Sequence, residues 1–301
     1  MSLITSSIGQ GLLWAILGVA LFLTFRILDF PDMTVEGTFP LGAAVTVTAI
    51  TQGASPLLAT LYGFLAGAAG GLITGLLYTK GKIPILLAGI LVMTACLSVN
   101  LRVMGGSNVS LIGKKTFFSA AFFQTLPKYF DSVIIGGLTI IVITALVVVF
   151  LETELGQAFI VTGDNPVMAR SQGINTDNMT ILGLTLSNGL VGLCGALISQ
   201  SNGYADANMG IGIIVVALAS IIIGEVVFGE LTLNQRLVAV TLGSIIYRFV
   251  LLLVLQLGFS TNDLNLISAI ILALCMMLPN LRNSLHLNGI LRKGLVSNEK
   301  E

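Results

Sequence analysis

Three carboxylates, a proline and a glycine stand together between two apolar stretches, in Asp29-Phe30-Pro31-Asp32-Met33-Thr34-Val35-Glu36-Gly37-Thr38. Acidic groups and broken helices inside a membrane are costly unless they face water or protein. The segment is therefore either a loop carrying helix-capping residues or an interrupted helix at membrane depth that lines a polar pathway. Asp29, Asp32, Thr34 and Glu36 are the residues it offers to such a pathway. Ser98, Asn100 and Arg102 end a later apolar stretch. An arginine there either snorkels to the interface or holds a carboxylate bidentately. Asn188 is a further polar candidate inside a span, and Asn202, Tyr204, Asp206 and Asn208 follow in an outer loop. Glu225 and Arg248 also fall inside apolar stretches, so each must face a partner or water. Their depths differ by several residues, which assigns no mutual pair.

Catalytic chemistry finds little support. His286 is the only histidine and lies in a polar tail. Cys96, Cys194 and Cys275 each sit alone in an apolar stretch, with no CxxC spacing, and read as small packing residues. No G-x-x-x-x-G-K-[ST] stretch is present to hold a nucleotide.

A second polar stretch, Gly163-Asp164-Asn165-Pro166-Val167-Met168-Ala169-Arg170-Ser171-Gln172-Gly173-Ile174-Asn175, has both ends of a short helix written in it. Asp164 or Asn165 can cap the N-terminus. Pro166 suits the first turn, where its missing N–H costs nothing. Gly173 suits the left-handed position just past the end. The helix would be roughly 10 Å long. Such a short helix is unstable alone, so it must dock on its own domain or on a partner.

The elements around these residues are apolar. Hydrophobic residues make up 55% of the chain and charged ones only 9%, against about 25% charged in an average soluble domain. Apolar segments fall at roughly 6–28, 38–54, 57–79, 83–103, 131–151, 179–202, 211–229, 236–256 and 263–281. Many approach the ~20 residues that cross a hydrocarbon core of ~30 Å. Backbone in lipid must satisfy its own hydrogen bonds, and no barrel-like alternation is present, so these segments are expected to be helices. The fold class is all-α: a polytopic membrane protein with about nine transmembrane helices, forming one domain over residues 1–301. The opening MSLITSSIGQG lacks the basic region of a signal peptide and reads as part of the first span. The formal net charge of zero says nothing about an anionic partner, and no nucleic-acid partner is expected.

Lys80, Lys82, Arg170, Arg236 and the tail residues Arg282, Arg292, Lys293 and Lys300 place their loops in the cytoplasm, with the N-terminus outside. The 104–130 connection is then outside despite Lys114, Lys115 and Lys128. Its aromatics Phe117, Phe118, Phe122, Phe123 and Tyr129 suit a helix lying in the interface. Gly63, Gly67, Gly71 and Gly75 recur every four residues and line one helical face. Gly189, Gly192 and Gly195, with Ala196 and Ser199, make a second small-residue surface. Both predict close helix packing.

The run GDNPVMARSQGINTDNMTILGLTLSNGLVGLCGALIS resembles the coupling region of bacterial ABC-importer permeases, in the group that includes the branched-chain amino-acid and ribose permeases. Gly163, Asn165, Ala169, Gly173 and Ile174 match a G-x-N-x-x-A-A-x-x-x-G-I-like stretch, and Ser187, Gly192, Gly195, Ala196 and Leu197 match the small-residue span after it. Met168 departs from the pattern, standing where the family has a small residue. The later ALASIIIGEVVFGE is a looser match. LTFRILDFPDMTVEGTFPLGAAV resembles the family's opening, and its Asp-Phe-Pro-Asp version is similar to a subgroup encoded with a binding lipoprotein and linked to aromatic amino acids such as tryptophan.

That resemblance implies a cytoplasmic coupling region at about 152–178, a polar tail at 282–301, and a chain that passes a small solute inward by alternating access. Two copies would form the translocation domain, two ATPase subunits would bind beneath, and an extracytoplasmic binding lipoprotein would deliver solute. ATP and magnesium would sit on the ATPase, and this chain would hold no cofactor and catalyse nothing. Asp164, Asn165, Pro166, Val167, Met168, Ala169, Arg170, Ser171 and Gly173 would couple to the ATPase. The 29–38 segment and the 98–102 region would line the solute path. Five spans precede the coupling region and four follow, so the first of the family's ten would be missing. An ion-coupled secondary transporter using Asp29, Asp32, Glu36 and Glu225 is the main rival, and nucleosides or sugars are alternative solutes.

Overall fold

The computed structural model describes residues 2–119, 129–229, 231–260 and 263–284. His286, Arg292, Lys293 and Lys300 of the tail, and Phe122, Phe123 and Lys128, lie outside the described residues.

The first helix, α1 (Ser2–Leu21), continues into a π-helical turn at Phe22–Ile27. Then come α2 (Val35–Thr51), α3 (Pro56–Thr79), α4 (Ile85–Met104), strand β1 (Asn108–Ser110), α5 (Phe130–Glu152), α6 (Glu154–Asp164) and α7 (Pro166–Ser171). After them come α8 (Thr176–Asn202), strand β2 (Tyr204–Asp206), α9 (Ile213–Phe228), α10 (Leu233–Gln256) and α11 (Leu264–Ser284). Among the described residues, six helices are long and apolar enough to cross a membrane: Leu3–Ile27, Pro56–Thr79, Ile85–Met104, Phe130–Glu152, Thr176–Asn202 and Leu233–Gln256. Val35–Thr51, Ile213–Phe228 and Leu264–Met277 are shorter apolar helices. These fall on the nine apolar segments of the sequence, and the protein is a polytopic, essentially all-α membrane protein.

The glycine face of α3 packs along α8. A Cβ on Gly67 would stand 2.9 Å from the Gly192 Cα, and one on Gly71 would stand 2.7 Å from the Asn188 Cβ. Gly75 lies against Ile181 and Gly63 against Ala196, so the two helices run antiparallel. The close approach is what small residues at these positions allow. α1 is enclosed by α5, α8, α9 and α10. Leu13, Ile16, Leu17 and Val19 are fully buried on it, as is Phe22 at the start of the π turn, which explains an apolar pattern on all sides of that helix.

The antiparallel arrangement defines two ends. At one end β1 pairs with β2, Val109 opposite Ala205, joining the exits of α4 and α8. This corrects the expected interfacial helix over 104–130 in its described part. Residues 105–119 form turns, β1 and a short 3-10 turn at Phe117–Ser119 instead. Pairing with β2 satisfies backbone groups there without a helix. The other end carries the Lys80–Lys82 turn, α6 and α7.

Candidate solute pathway and coupling surface

The acidic segment joins two helices through the interior. The π turn closes at Leu28, Asp29 adopts a left-handed φ of +57°, and α2 starts at Val35. π turns recur at functional sites because they break the regular ladder. Asp32 is 7% exposed and meets α8 near its middle, at Asn188, while its neighbour Thr34 meets α3 at Thr74, nearer that helix's C-terminal end. Its Oδ1 accepts from the Thr34 backbone N–H at 2.9 Å, and its Oδ2 accepts from the Asn188 amide at 2.7 Å. Asn188 in turn accepts from the Thr38 hydroxyl at 2.7 Å. Thr34 and Thr74 share a hydroxyl contact at 2.9 Å. Asp32, Thr34, Thr38, Thr74 and Asn188 are all buried. The carboxylate thus lies at the start of α2, where the helix dipole favours negative charge.

Glu36, one turn further on, faces another way. Its Oε1 accepts from the Gly212 backbone N–H at 3.1 Å, at the start of α9. The turn before α9 presses on α2, since a Cβ on Gly210 would meet Pro40 Cδ at 2.8 Å. Between α2, α4 and this turn lies a cavity of about 200 Å³. Glu36, Pro40, Met93, Leu97, Asn100 and Ile211 line it. Asn100 is 0% exposed, and neither its amide nitrogen nor its amide oxygen has a hydrogen-bond partner.

The candidate pathway residues therefore separate into groups. Asp32, Thr34 and Asn188 share one hydrogen-bonded network, and Glu36 and Asn100 share one cavity. Ser98 and Arg102 are exposed on α4 and do not line that cavity. Asp29 stands apart, in a second cavity of about 380 Å³ with Tyr78, Asp164, Arg170 and Asp177.

α7 forms as its capping residues require. The Asn165 side chain accepts from the Met168 N–H at 3.0 Å, Pro166 opens the helix, and Gly173 takes φ +85° after it. Ser171 returns its hydroxyl to the Met168 carbonyl, and the Arg170 guanidinium donates to Thr176 at 2.7 Å. Ala169 is 0% exposed, whereas Val167 is 76% and Met168 48% exposed. The buried residue anchors α7 on its own domain, and two apolar side chains face outward. The sequence reading set no separate helix before this one. α6 occupies that stretch, and Gly163 near its end lies against the π turn, with the Leu28 Cα 2.9 Å from where a Cβ would stand.

Glu225 and Arg248 find separate partners. The Arg26 guanidinium pairs with both Glu225 carboxylate oxygens, at 2.7 Å from Nε to Oε1. The Arg248 guanidinium stacks 4.4 Å from the Trp14 ring centroid. Sequence reasoning missed Arg26, and its charge beside an apolar span was the one signal available. Among the described residues, no group of three or more His, Cys, Asp or Glu is placed to hold a metal ion.

Residues 3–278 match the family described as branched-chain amino acid transport system, permease component. A tyrosine transport system permease protein of Clostridioides difficile is 40% identical over 285 residues, covering 95% of this chain and 94% of that protein. An uncharacterized protein of Rickettsia prowazekii is 32% identical over 276 residues, covering 90% of this chain and 96% of its own length. An autoinducer 2 import system permease protein of Yersinia enterocolitica is 26% identical over 223 residues, covering 73% of this chain and 59% of that protein. No solved structure matches.

Proposed function

Because this chain belongs to the family of branched-chain amino acid transport permease components, we propose that it is the translocation subunit of an importer for amino acids with an aromatic side chain. It is an ABC-type importer permease and a multi-pass membrane protein. The finer reading has two copies of the chain forming the pathway as single transmembrane domains, driven by a pair of ATPase subunits that bind ATP and Mg²⁺. An extracytoplasmic lipoprotein delivers the solute, in a bacterial cell membrane. The chain itself transports and does not catalyse. The α7 end faces the cytoplasm and the N-terminus the outside, in keeping with Lys80, Lys82 and Arg170 at that end.

The observation that carries this reading is the seat of Gly163 on Ile27 and Leu28. A push on the exposed Val167 and Met168 passes through α7 and α6 to the end of the π turn. From there it reaches Asp29, the Asp32–Asn188 network and Glu36. Packed interiors transmit such displacements because they deform little. The aromatic solute is supported by the tyrosine permease among the relatives.

The test is purification of the tagged chain from its native host in mild detergent, with mass spectrometry of what accompanies it, followed by uptake assays. The expected result is an ATPase and a lipoprotein in comparable amounts, and ATP-dependent uptake of tyrosine or a related amino acid. Uptake that survives ATP depletion and collapses with the ion gradient would replace this reading with a secondary transporter.

A further inference from the structure

The Glu36–Asn100 cavity holds two features that ask for a ligand. A buried amide with no partner costs about 1–3 kcal/mol for each orphaned group, and native interiors leave few such groups. Among the described residues, Asn100 and the Arg248 Nε are the buried side-chain groups without a partner. Asn100 lines the cavity with both amide atoms unpaired. Glu36 supplies the one charge in the lining, with one of its oxygens accepting from Gly212. Thr94 and Asn208 are the other polar side chains of the lining, and Pro40, Met93, Leu97 and Ile211 make the rest largely apolar. The space, about 200 Å³, is smaller than the ~300–1,000 Å³ that takes a drug-sized molecule.

We propose that this cavity recognises the head group of a zwitterionic amino acid. The free Glu36 oxygen accepts from the α-ammonium group, the Asn100 amide N–H donates to the α-carboxylate, and the Asn100 carbonyl oxygen shares the ammonium. The apolar wall covers the solute side chain. A sugar fits less well, because beyond Glu36, Asn100, Asn208 and Thr94 the wall is mostly hydrocarbon, and a full ring of hydroxyls would leave some unpaired. The inference rests on the amino-acid reading above and assigns the atoms that carry it out.

Two measurements on the chain assembled with its ATPase in nanodiscs or liposomes separate the outcomes. Ligand-detected NMR with L-tyrosine, tyramine and 3-(4-hydroxyphenyl)propionate reads the head-group requirement, and ATP-driven uptake of L-tyrosine with the binding protein reads transport. The wild type should bind L-tyrosine better than either analogue. Glu36→Gln should weaken L-tyrosine about tenfold or more, as loss of a charge-assisted hydrogen bond requires, with Glu36→Asp keeping part of it. Asn100→Asp should invert the preference, favouring tyramine because a second carboxylate repels the solute's own. A merely structural role for Asn100 gives no such inversion. Intact uptake with unchanged binding in Glu36→Gln and Asn100→Asp would overturn the cavity assignment and leave the importer reading standing. Absence of any amino-acid uptake by the wild type would overturn the amino-acid reading and the assignment with it.

Discussion

The Asn188 amide donates to the Asp32 carboxylate at 2.7 Å across 156 residues of sequence, with both groups buried between α2, α3 and α8. The bond fastens the interrupted segment to the longest helix of the bundle. Removing one member leaves a buried carboxylate short of a partner, which costs more than the bond contributes when made. Asn188→Ala is expected to lower stability by about 3 kcal/mol, read as a lower melting point of the purified protein in detergent. Asp32→Asn retains an acceptor and should lose less. Equal melting of Asn188→Ala and wild type would remove this network from the stabilising contacts.

Arg26 and Glu225 join the π turn to α9. Both side chains are partly exposed, which limits such a pair to about 1 kcal/mol. Its expected effect is on rate, because it ties down the turn on which Gly163 rests. Arg26→Ala and Glu225→Ala should each change ATP-driven uptake by about two- to fivefold. The exchange of Arg26→Glu with Glu225→Arg should recover most of it. A double variant no better than the singles would show that the pair acts separately.

Val167 and Met168 are the large apolar side chains that α7 leaves exposed to a partner. Val167→Glu or Met168→Glu should abolish uptake and the retention of the ATPase on the tagged chain, with insertion and monodispersity unchanged. Ala169→Glu should instead yield little folded protein, since Ala169 is buried against its own domain and an unpaired buried charge is costly. Full uptake by Val167→Glu and Met168→Glu would move the coupling surface elsewhere.

Gly71 faces Asn188, where an added Cβ would stand 2.7 Å from the Asn188 Cβ. Gly71→Leu is expected to destabilise by about 1–3 kcal/mol or more by overpacking. Gly106→Ala, with nothing within 4 Å and no positive φ, should be close to neutral. Comparable melting of the two variants would contradict the tight α3–α8 contact.

Part of this was legible in the residues because it is local. The α7 caps, Asn165 onto the Met168 N–H and Gly173 beyond the end, act within one turn, so their spacing in the chain is their spacing in space. The glycines of α3 share a face by helical period alone, whatever helix they meet. The nine apolar stretches follow from the cost of bare backbone in lipid. The π turn and the depth of Asp32 were not legible, because both depend on how α1 and α2 are clasped by their neighbours.

By itself the sequence determined that the chain is a many-helix membrane protein with a short capped helix on a polar stretch and acidic residues between its first two apolar segments. Hydrocarbon, caps and helical period dictate those features residue by residue. Tertiary structure alone decided that α8 is the partner of the glycine face, that Arg26 and not Arg248 takes Glu225, and that Glu36 and Asn100 share a cavity while Arg102 and Asp29 stand outside it. These are contacts between residues far apart in the chain. They are set by the rotation and depth at which whole helices pack, and no spacing along one helix encodes that.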